Sequence, residues 1–477
     1  MIVVWIILAL VAVLIAVVLL RTLMLKPTDA AKATVTLDES ERAVLYGDKL
    51  SKMIKVETIS EPRQANRSKF LEFHKVLEKE FPNVHKTCEK TVLNGSLLFK
   101  WAGTGEKEPI MFMSHHDVVE AGGEWEHEPF SGDVDEKGRV WGRGAVDTKG
   151  SLCCIFGAIE ELIAEGYKPP MDVYIASSCT EEVSGDGGPA IAKFLKDKGV
   201  KLDLILDEGG MILKAPIAGV NGIYAMVGVV EKGYGDLKFI AHGRGGHASA
   251  PGKNTPLVRL GKFMTAVEKK SPFKSQLTPT VKEMFSRMAP NMTFPLKMIM
   301  SNLWLFEGLL AKVLPSINAA AGAMIHTTLA FTEAKGSDGL NVLPQTAYVT
   351  GNMRFIHHQP TDESIKLISD IAKEYDLETE VIYKDYPCPI VDFNSRQFKV
   401  VEAVMDKVYP GVGTCPYVMT GGTDCKFYTD VCENAIRLAP IFIDEQQYAS
   451  IHGLNENIYR GALPKAVDFY KEVVKMM

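Results

Sequence analysis

Residues 109–117, PIMFMSHHD, residues 171–182, MDVYIASSCTEE, and residues 202–210, LDLILDEGG, share one pattern: a short unbroken apolar run that ends in acids and histidines. A run of this length with no polar alternation is the signature of a strand buried on both faces, and helical stretches such as SLCCIFGAIEELIAEG at 151–166 lie between the runs. Strands alternating with helices predict an α/β fold, a mainly parallel sheet covered by helices. In such a sheet side chains from successive strands meet beyond the carboxyl ends.

Working outward, residues 41–55 and 67–80 show helical spacing of apolar positions. After Glu231 the texture changes to GDLKFIAHGRGGHASAP, then a stretch rich in Met and Phe to about residue 330, then AYVTGNMRFI and a helical segment near 362–375. The order strand, helix, strand, strand, helix, strand predicts a separate α+β, ferredoxin-like layer. The first fold is expected to resume near Cys388, so one catalytic domain at 41–231 and 387–477 is interrupted by an inserted domain at 232–386. The Met-rich segment at 284–300 reads as packing surface, and no internal repeat is visible.

The first twenty residues, MIVVWIILALVAVLIAVVLL, carry no charge, Gly or Pro. That length spans a bilayer as a helix, and a cleaved signal peptide would have a basic start and a shorter apolar core. Residues 1–20 are therefore expected to be a single-pass transmembrane anchor and 21–40 a stalk. Arg21, Lys26 and Lys32 on the following flank favour the cytoplasmic side without fixing it. Across 477 residues the net charge is -6, which supplies no basic footprint for nucleic acid. The eight cysteines have no paired metal-type spacing and read as mostly free thiols.

The strand ends supply His115, His116 and Asp117, then Asp147, the pair Glu181 and Glu182, the pair Asp207 and Glu208, and finally His452. Each alone is ordinarily a solvated or capped polar residue. Gathered in one crevice, so many carboxylates repel unless a cation neutralises them, and zinc suits a mixture of imidazole and carboxylate. A two-metal site needs one bridging carboxylate and two further ligands for each ion, which five side chains provide. Strand alternation sends one glutamate of the 181–182 pair toward the metal and leaves the other for proton transfer, and it turns His116 away from the site.

The motifs S-H-H-D-V-V at 114–119, G-R-G-A-V-D-T-K-G at 142–150, L-D-E-G-G at 206–210, G-G-H-A-S-A-P at 245–251, N-V-L-P at 341–344 and H-G-L-N-E-N at 452–457 carry a resemblance. In this order they resemble the aminoacylase and carboxypeptidase family of co-catalytic zinc hydrolases. The chain is most similar to its branch of Gly-X carboxypeptidases (carboxypeptidase S) and N-fatty-acyl amino acid hydrolases. The resemblance implies two zinc ions per subunit bridged by Asp147, one completed by His115 and Asp207, the other by Glu182 and His452. It matches Glu181 to the catalytic acid/base and Asp117 to the residue that holds His115. Asp207 is preferred to Glu208 because it matches the branch's motif.

The same resemblance gives the inserted domain a lid and dimerisation role. His247, reaching from one subunit of a homodimer into the other's active site, polarises the scissile carbonyl. Arg354 in GNMRF pairs with a substrate carboxylate. From the residues themselves, the backbone of the Gly421, Gly422 and Thr423 turn either meets the same group or is simply a tight turn, and Asn341 either donates to the developing oxyanion or caps a turn. The activity implied is hydrolysis of a peptide or N-acyl amide bond beside a free carboxylate. The alternatives are a dipeptidase or small-acyl deacylase of the same family and, from another class, an inactive membrane-bound binding protein. Competent side chains at every metal and acid/base position argue against the last.

Overall fold

The computed structural model describes residues 1–62 and 67–477. At its centre, strands Val173–Ser177, Ile110–Met113, Leu204–Asp207 and Ala435–Arg437 lie side by side and parallel. The first three are buried along their whole length, because helices cover both faces. The flanks are different. Ser96–Trp101 joins Val173–Ser177 antiparallel, and Glu89–Leu93 folds back on Ser96–Trp101 through Asn94 and Gly95. Both turn residues have positive φ, 51° and 92°, the geometry a two-residue hairpin loop requires and an Asn-Gly pair accepts. On the other side Ile223–Glu231 runs antiparallel to Ala435–Arg437 and parallel to Gly413–Met419. The ten-stranded sheet is therefore mixed, where the sequence suggested a mainly parallel one. The Glu89–Leu93 and Ser96–Trp101 pair is a tight hairpin, too short for a crossover helix, whereas Ser96–Trp101 with Val173–Ser177 and Ile223–Glu231 with Ala435–Arg437 are antiparallel pairs of strands distant in sequence.

Helix Lys149–Ala164 covers one face and packs on Glu41–Ile54 and Leu463–Met476. Its Gly157 marks a close approach: a Cβ there would stand 2.5 Å from Tyr46 Cε1.

Strands Gly233–His242, Thr328–Lys335, Thr346–Phe355 and Glu378–Lys384 form a second, wholly antiparallel sheet with helices Pro256–Lys269 and Thr361–Glu374, in the β-α-β-β-α-β order. Its two central strands, Gly233–His242 and Thr346–Phe355, alternate buried and partly exposed residues, and Leu237, Phe239, Phe263, Val349 and Ile368 make a core of their own. Helices Pro279–Met288, Phe294–Met300, Leu303–Ile317 and Ala319–Ala323 interrupt this layer, yet Val281, Met284, Phe285, Met288 and Leu314 join the core of the main domain. The stretch 232–386 thus contributes to two cores.

Helix Ile2–Met24 is long and apolar enough to cross a membrane, and it is exposed except at Val18 and Thr22. The expected stalk is not a free tether. Ala30 is buried in the main core, the Thr28 N–H donates to Asn291 Oδ1 at 2.9 Å, and the Asp38 N–H donates to the Gly461 carbonyl at 2.8 Å. Ala30, Ala31 and Ala33 are small enough to let this segment lie flat on the body instead of standing away from it.

Candidate active site

The acids and histidines do converge. His115 follows strand Ile110–Met113, and Asp147 ends the turn before helix Lys149–Ala164. His452 sits in a turn with φ of 56°, a left-handed conformation that aims its ring back at the sheet. Asp147 Oδ1 lies 3.1 Å from His115 Nε2, and Asp147 Oδ2 lies 3.0 Å from His452 Nε2. Glu182 Oε2 is also 3.0 Å from His452 Nε2. Around His115 Nε2 stand Glu208 Oε1 at 3.6 Å and Glu181 Oε2 at 3.9 Å. Two overlapping groups result, His115 with Asp147 and Glu182, and His115 with Glu181 and Glu208, each with ligand-type atoms within 4.8 Å of one another.

The electrostatics describe a site that needs positive charge. Burial holds Glu181 and Glu208 well above the usual carboxylate range and raises Glu182. Asp147, despite its burial, is held low by hydrogen bonds from His115 and His452. Asp147 and Glu182 in turn lift His452 to about 10. Glu182 Oε1 is buried with no hydrogen-bond partner among the described residues. A divalent cation fits this donor set: hard carboxylate oxygens and imidazole nitrogens converge on one place.

Asp117 organises the cluster from behind. Its carboxylate accepts the backbone N–H groups of Glu181 at 3.1 Å and Glu182 at 3.0 Å and the Ser60 hydroxyl at 2.7 Å, while its carbonyl is 2.9 Å from His115 Nδ1. Glu181 and Glu182 occupy a turn after strand Val173–Ser177, so both face the cluster, and strand alternation is not what separates them. His116 turns away: Nδ1 meets Ser177 Oγ at 2.8 Å, the ring stacks on Phe73, and burial pushes its pKa well down.

Asp207 is the main departure from expectation. It closes strand Leu204–Asp207 with its Oδ2 buried and without a hydrogen-bond partner among the described residues, whereas Glu208, one residue on, has Oε1 3.6 Å from His115 Nε2. Asp207 Oδ1 accepts the N–H of Glu208 at 2.9 Å, and burial pushes its pKa up to about 6. Thr423 is likewise engaged elsewhere: its N–H and hydroxyl both donate to Glu231, at 3.1 and 2.6 Å, and Glu231 also takes Arg437 Nε at 2.6 Å. Gly421 and Gly422 beside it are exposed.

Arg354 lies on the inserted sheet, 4.6 Å over the Tyr234 ring. His247 and Asn341 are neighbours, since Gly246–His247 pairs with Val342–Leu343 and the Ala248 N–H donates to the Asn341 carbonyl at 2.9 Å. Both are exposed, and no hydrogen bond or ion pair joins them or Arg354 to the acidic cluster among the described residues.

Sequence reasoning missed Glu456. Its carboxylate accepts Arg143 Nη1 at 2.8 Å and the N–H groups of Gly144, Val146 and Asp147 at 3.1, 2.8 and 3.0 Å, fixing the loop that carries Asp147. The only signal was its place inside H-G-L-N-E-N. Asp424 was also missed; it is buried beside Asp207, with its pKa raised by burial to about 7.

A cluster built this way, on a sheet of this topology, belongs to metal-dependent hydrolases, and comparison with known proteins agrees. The sequence profile of peptidase family M20/M25/M40 matches residues 111–476. The chain is 32% identical over 477 residues to an N-fatty-acyl-amino acid synthase/hydrolase of Xenopus tropicalis, covering 97% of this chain and 92% of that protein. It is 31% identical to a probable carboxypeptidase S-like protein of Dictyostelium discoideum, covering 85% and 79%. The M20 family metallo-carboxypeptidase of Sulfolobus solfataricus superposes with a TM-score of 0.66 at 17% identity over 90% of this chain and 98% of that one. The protein is a metallopeptidase or amidohydrolase. It belongs to peptidase family M20/M25/M40.

Proposed function

We propose that the chain hydrolyses a peptide or N-acyl amide bond next to a free carboxylate, using two zinc ions per subunit. The observation that carries this reading is Asp147, whose two oxygens face different histidines at 3.1 and 3.0 Å, as a bridging carboxylate must. His115 and Glu208 would hold one ion and Glu182 and His452 the other, with Glu208 taken in place of Asp207 because its Oε1 lies 3.6 Å from His115 Nε2. Bound there, zinc supplies Lewis acidity that polarises a carbonyl and makes water easier to deprotonate. Glu181 takes the proton from the attacking water and returns it to the leaving nitrogen. Asp117 holds the two glutamates, and Glu456 holds the Asp147 loop.

A cavity of ≈200 Å³ is lined by Met211, Leu213, Met226, Met324 and Val418 together with Asn318, Tyr417 and Thr420, and by Gly209, the residue after Glu208. The apolar part of this lining suits an apolar side chain or acyl group better than the polar substrates of a dipeptidase. The Xenopus relative, named for N-fatty-acyl-amino acids, supports the same choice. Arg354 and the Gly421-Gly422 turn are candidates for the substrate carboxylate. His247 and Asn341, exposed and unattached to their own cluster, suit donation to the oxyanion of a second subunit in a homodimer. Ile2–Met24 serves as the membrane anchor.

The test is amine release from Gly-X dipeptides, acetyl amino acids and long-chain acyl amino acids by the zinc-loaded full chain. Turnover confined to acetyl amino acids or polar dipeptides would overturn the apolar-substrate reading, and no turnover of any would leave a binding protein.

A further inference from the structure

Helix Leu303–Ile317, LWLFEGLLAKVLPSI, has two unlike faces. Leu310 and Leu314 enter the main core, and Glu307 pairs with Lys282 of the neighbouring helix at 2.7 Å. Leu305, Leu309, Val313 and Ile317, four residues apart along one stripe, point outward, with exposures from 38% at Val313 to 71% at Ile317. Trp304 is exposed at the start of the same helix, and Phe294 opens the preceding helix and is exposed as well. An apolar stripe of this extent on a water-facing surface calls for something to cover it.

What covers it follows from where the helix begins. Asn302, fully buried, donates from Nδ2 to the Val18 carbonyl at 3.3 Å, and Ser301 Oγ lies 3.2 Å from Thr22 Oγ1. Lys297 Nζ donates to the Leu25 carbonyl. These contacts grip the last turns of Ile2–Met24, whose 23 residues span about 34 Å at 1.5 Å per residue, against a hydrocarbon layer of about 30 Å. Residues 18–25 therefore lie where the helix leaves the hydrocarbon, and the segment from 25 to 38, docked along the body, gives no slack for the domain to move away.

We propose that helix Leu303–Ile317 lies in the interface of the membrane that Ile2–Met24 enters, its Leu305, Leu309, Val313 and Ile317 stripe sunk among the acyl chains. Trp304 and Lys312 suit the headgroup level, one by its amphipathic ring and the other by a stem long enough to lift its charge into water. Asn318, Ala321 and Met324, immediately after this helix, line the ≈200 Å³ cavity that Gly209 also lines. The proposal rests on the reading of Ile2–Met24 as an anchor.

The eight native cysteines are all buried, so a single surface cysteine is labelled selectively. The full chain, reconstituted in phosphatidylcholine vesicles, carries an environment-sensitive fluorophore at Leu309→Cys, Ile317→Cys, Leu14→Cys in the anchor, or Leu71→Cys on the catalytic body. Labels at 309, 317 and 14 are expected to lose most of their emission to nitroxide-bearing lipids, while the label at 71 responds only to an aqueous quencher. Quenching at 14 but not at 309 or 317 overturns the interfacial helix and leaves the anchor standing. No quenching at 14 overturns the anchor and this proposal with it. Labels at 309 and 317 shielded from both quenchers mean that protein, such as a second copy, covers the stripe, which also overturns it.

Discussion

A carboxylate set between two imidazoles, as Asp147 is between His115 and His452, has each oxygen committed to a different neighbour, and the chemistry of the site is distributed around that division. Glu181 stands 3.9 Å from His115 Nε2, outside the tighter contacts, where a proton acceptor is free to act. Glu181→Gln keeps the shape and removes the acceptor, so turnover is expected to fall about 10²–10⁴-fold with metal content unchanged. Near-normal turnover in that variant would remove Glu181 from the acid/base role. The neighbouring acids at 207 and 208 separate by metal analysis: Glu208→Ala is expected to lose one equivalent of zinc, and Asp207→Asn to keep both. The reverse pattern would restore Asp207 as the ligand.

At the scale of elements, the loop before helix Lys149–Ala164 is held by a residue more than three hundred positions away. Glu456 and Arg143 are both buried, and removing one partner of a buried pair costs about 3–5 kcal/mol because the other charge is left uncompensated. Glu456→Ala additionally strips the acceptor from the N–H groups of Gly144, Val146 and Asp147. It is therefore expected to destabilise more than Arg143→Met, in which Glu456 keeps those three donors. Urea unfolding of the two variants in the same detergent decides this, and equal losses would mean that the ion pair alone matters. The sequence displayed Arg143 and Glu456 inside quoted motifs but carried no sign that they meet, because a carboxylate binding backbone N–H groups leaves no periodicity to read. The hairpin at Asn94-Gly95, by contrast, rests on two adjacent residues.

On the scale of the whole molecule, His247 tests whether one chain is a complete enzyme. The exposed His247 has its Nδ1 2.7 Å from Ser249 Oγ and makes no contact with its own acidic cluster among the described residues. If two copies pair through the inserted sheet, each supplies the other's oxyanion donor, a group worth about 2.7–4 kcal/mol in comparable sites. Mixing inactive His247→Ala and Glu181→Gln homodimers is expected to restore activity, since one hybrid site then has both residues intact. Verified subunit exchange without recovery would confine His247 to its own subunit or to structure.

The apolar strand runs, the order of motifs from Ser114 to Asn457 and the apolar first twenty residues are local information, and from them the α/β fold, the family and the gathering of His115, Asp147, Glu181, Glu182 and His452 could be read. Tertiary structure alone set which of Asp207 and Glu208, two acids one residue apart, stands near His115: Glu208 Oε1 lies 3.6 Å from His115 Nε2. It also decided that the sheet is mixed, that residues 21–40 lie on the body, and that 279–323 feeds the main core. Each of these depends on partners far apart in the chain, such as Thr28 with Asn291 or Asn302 with Val18, and a contact between distant residues exists only once the intervening chain has folded.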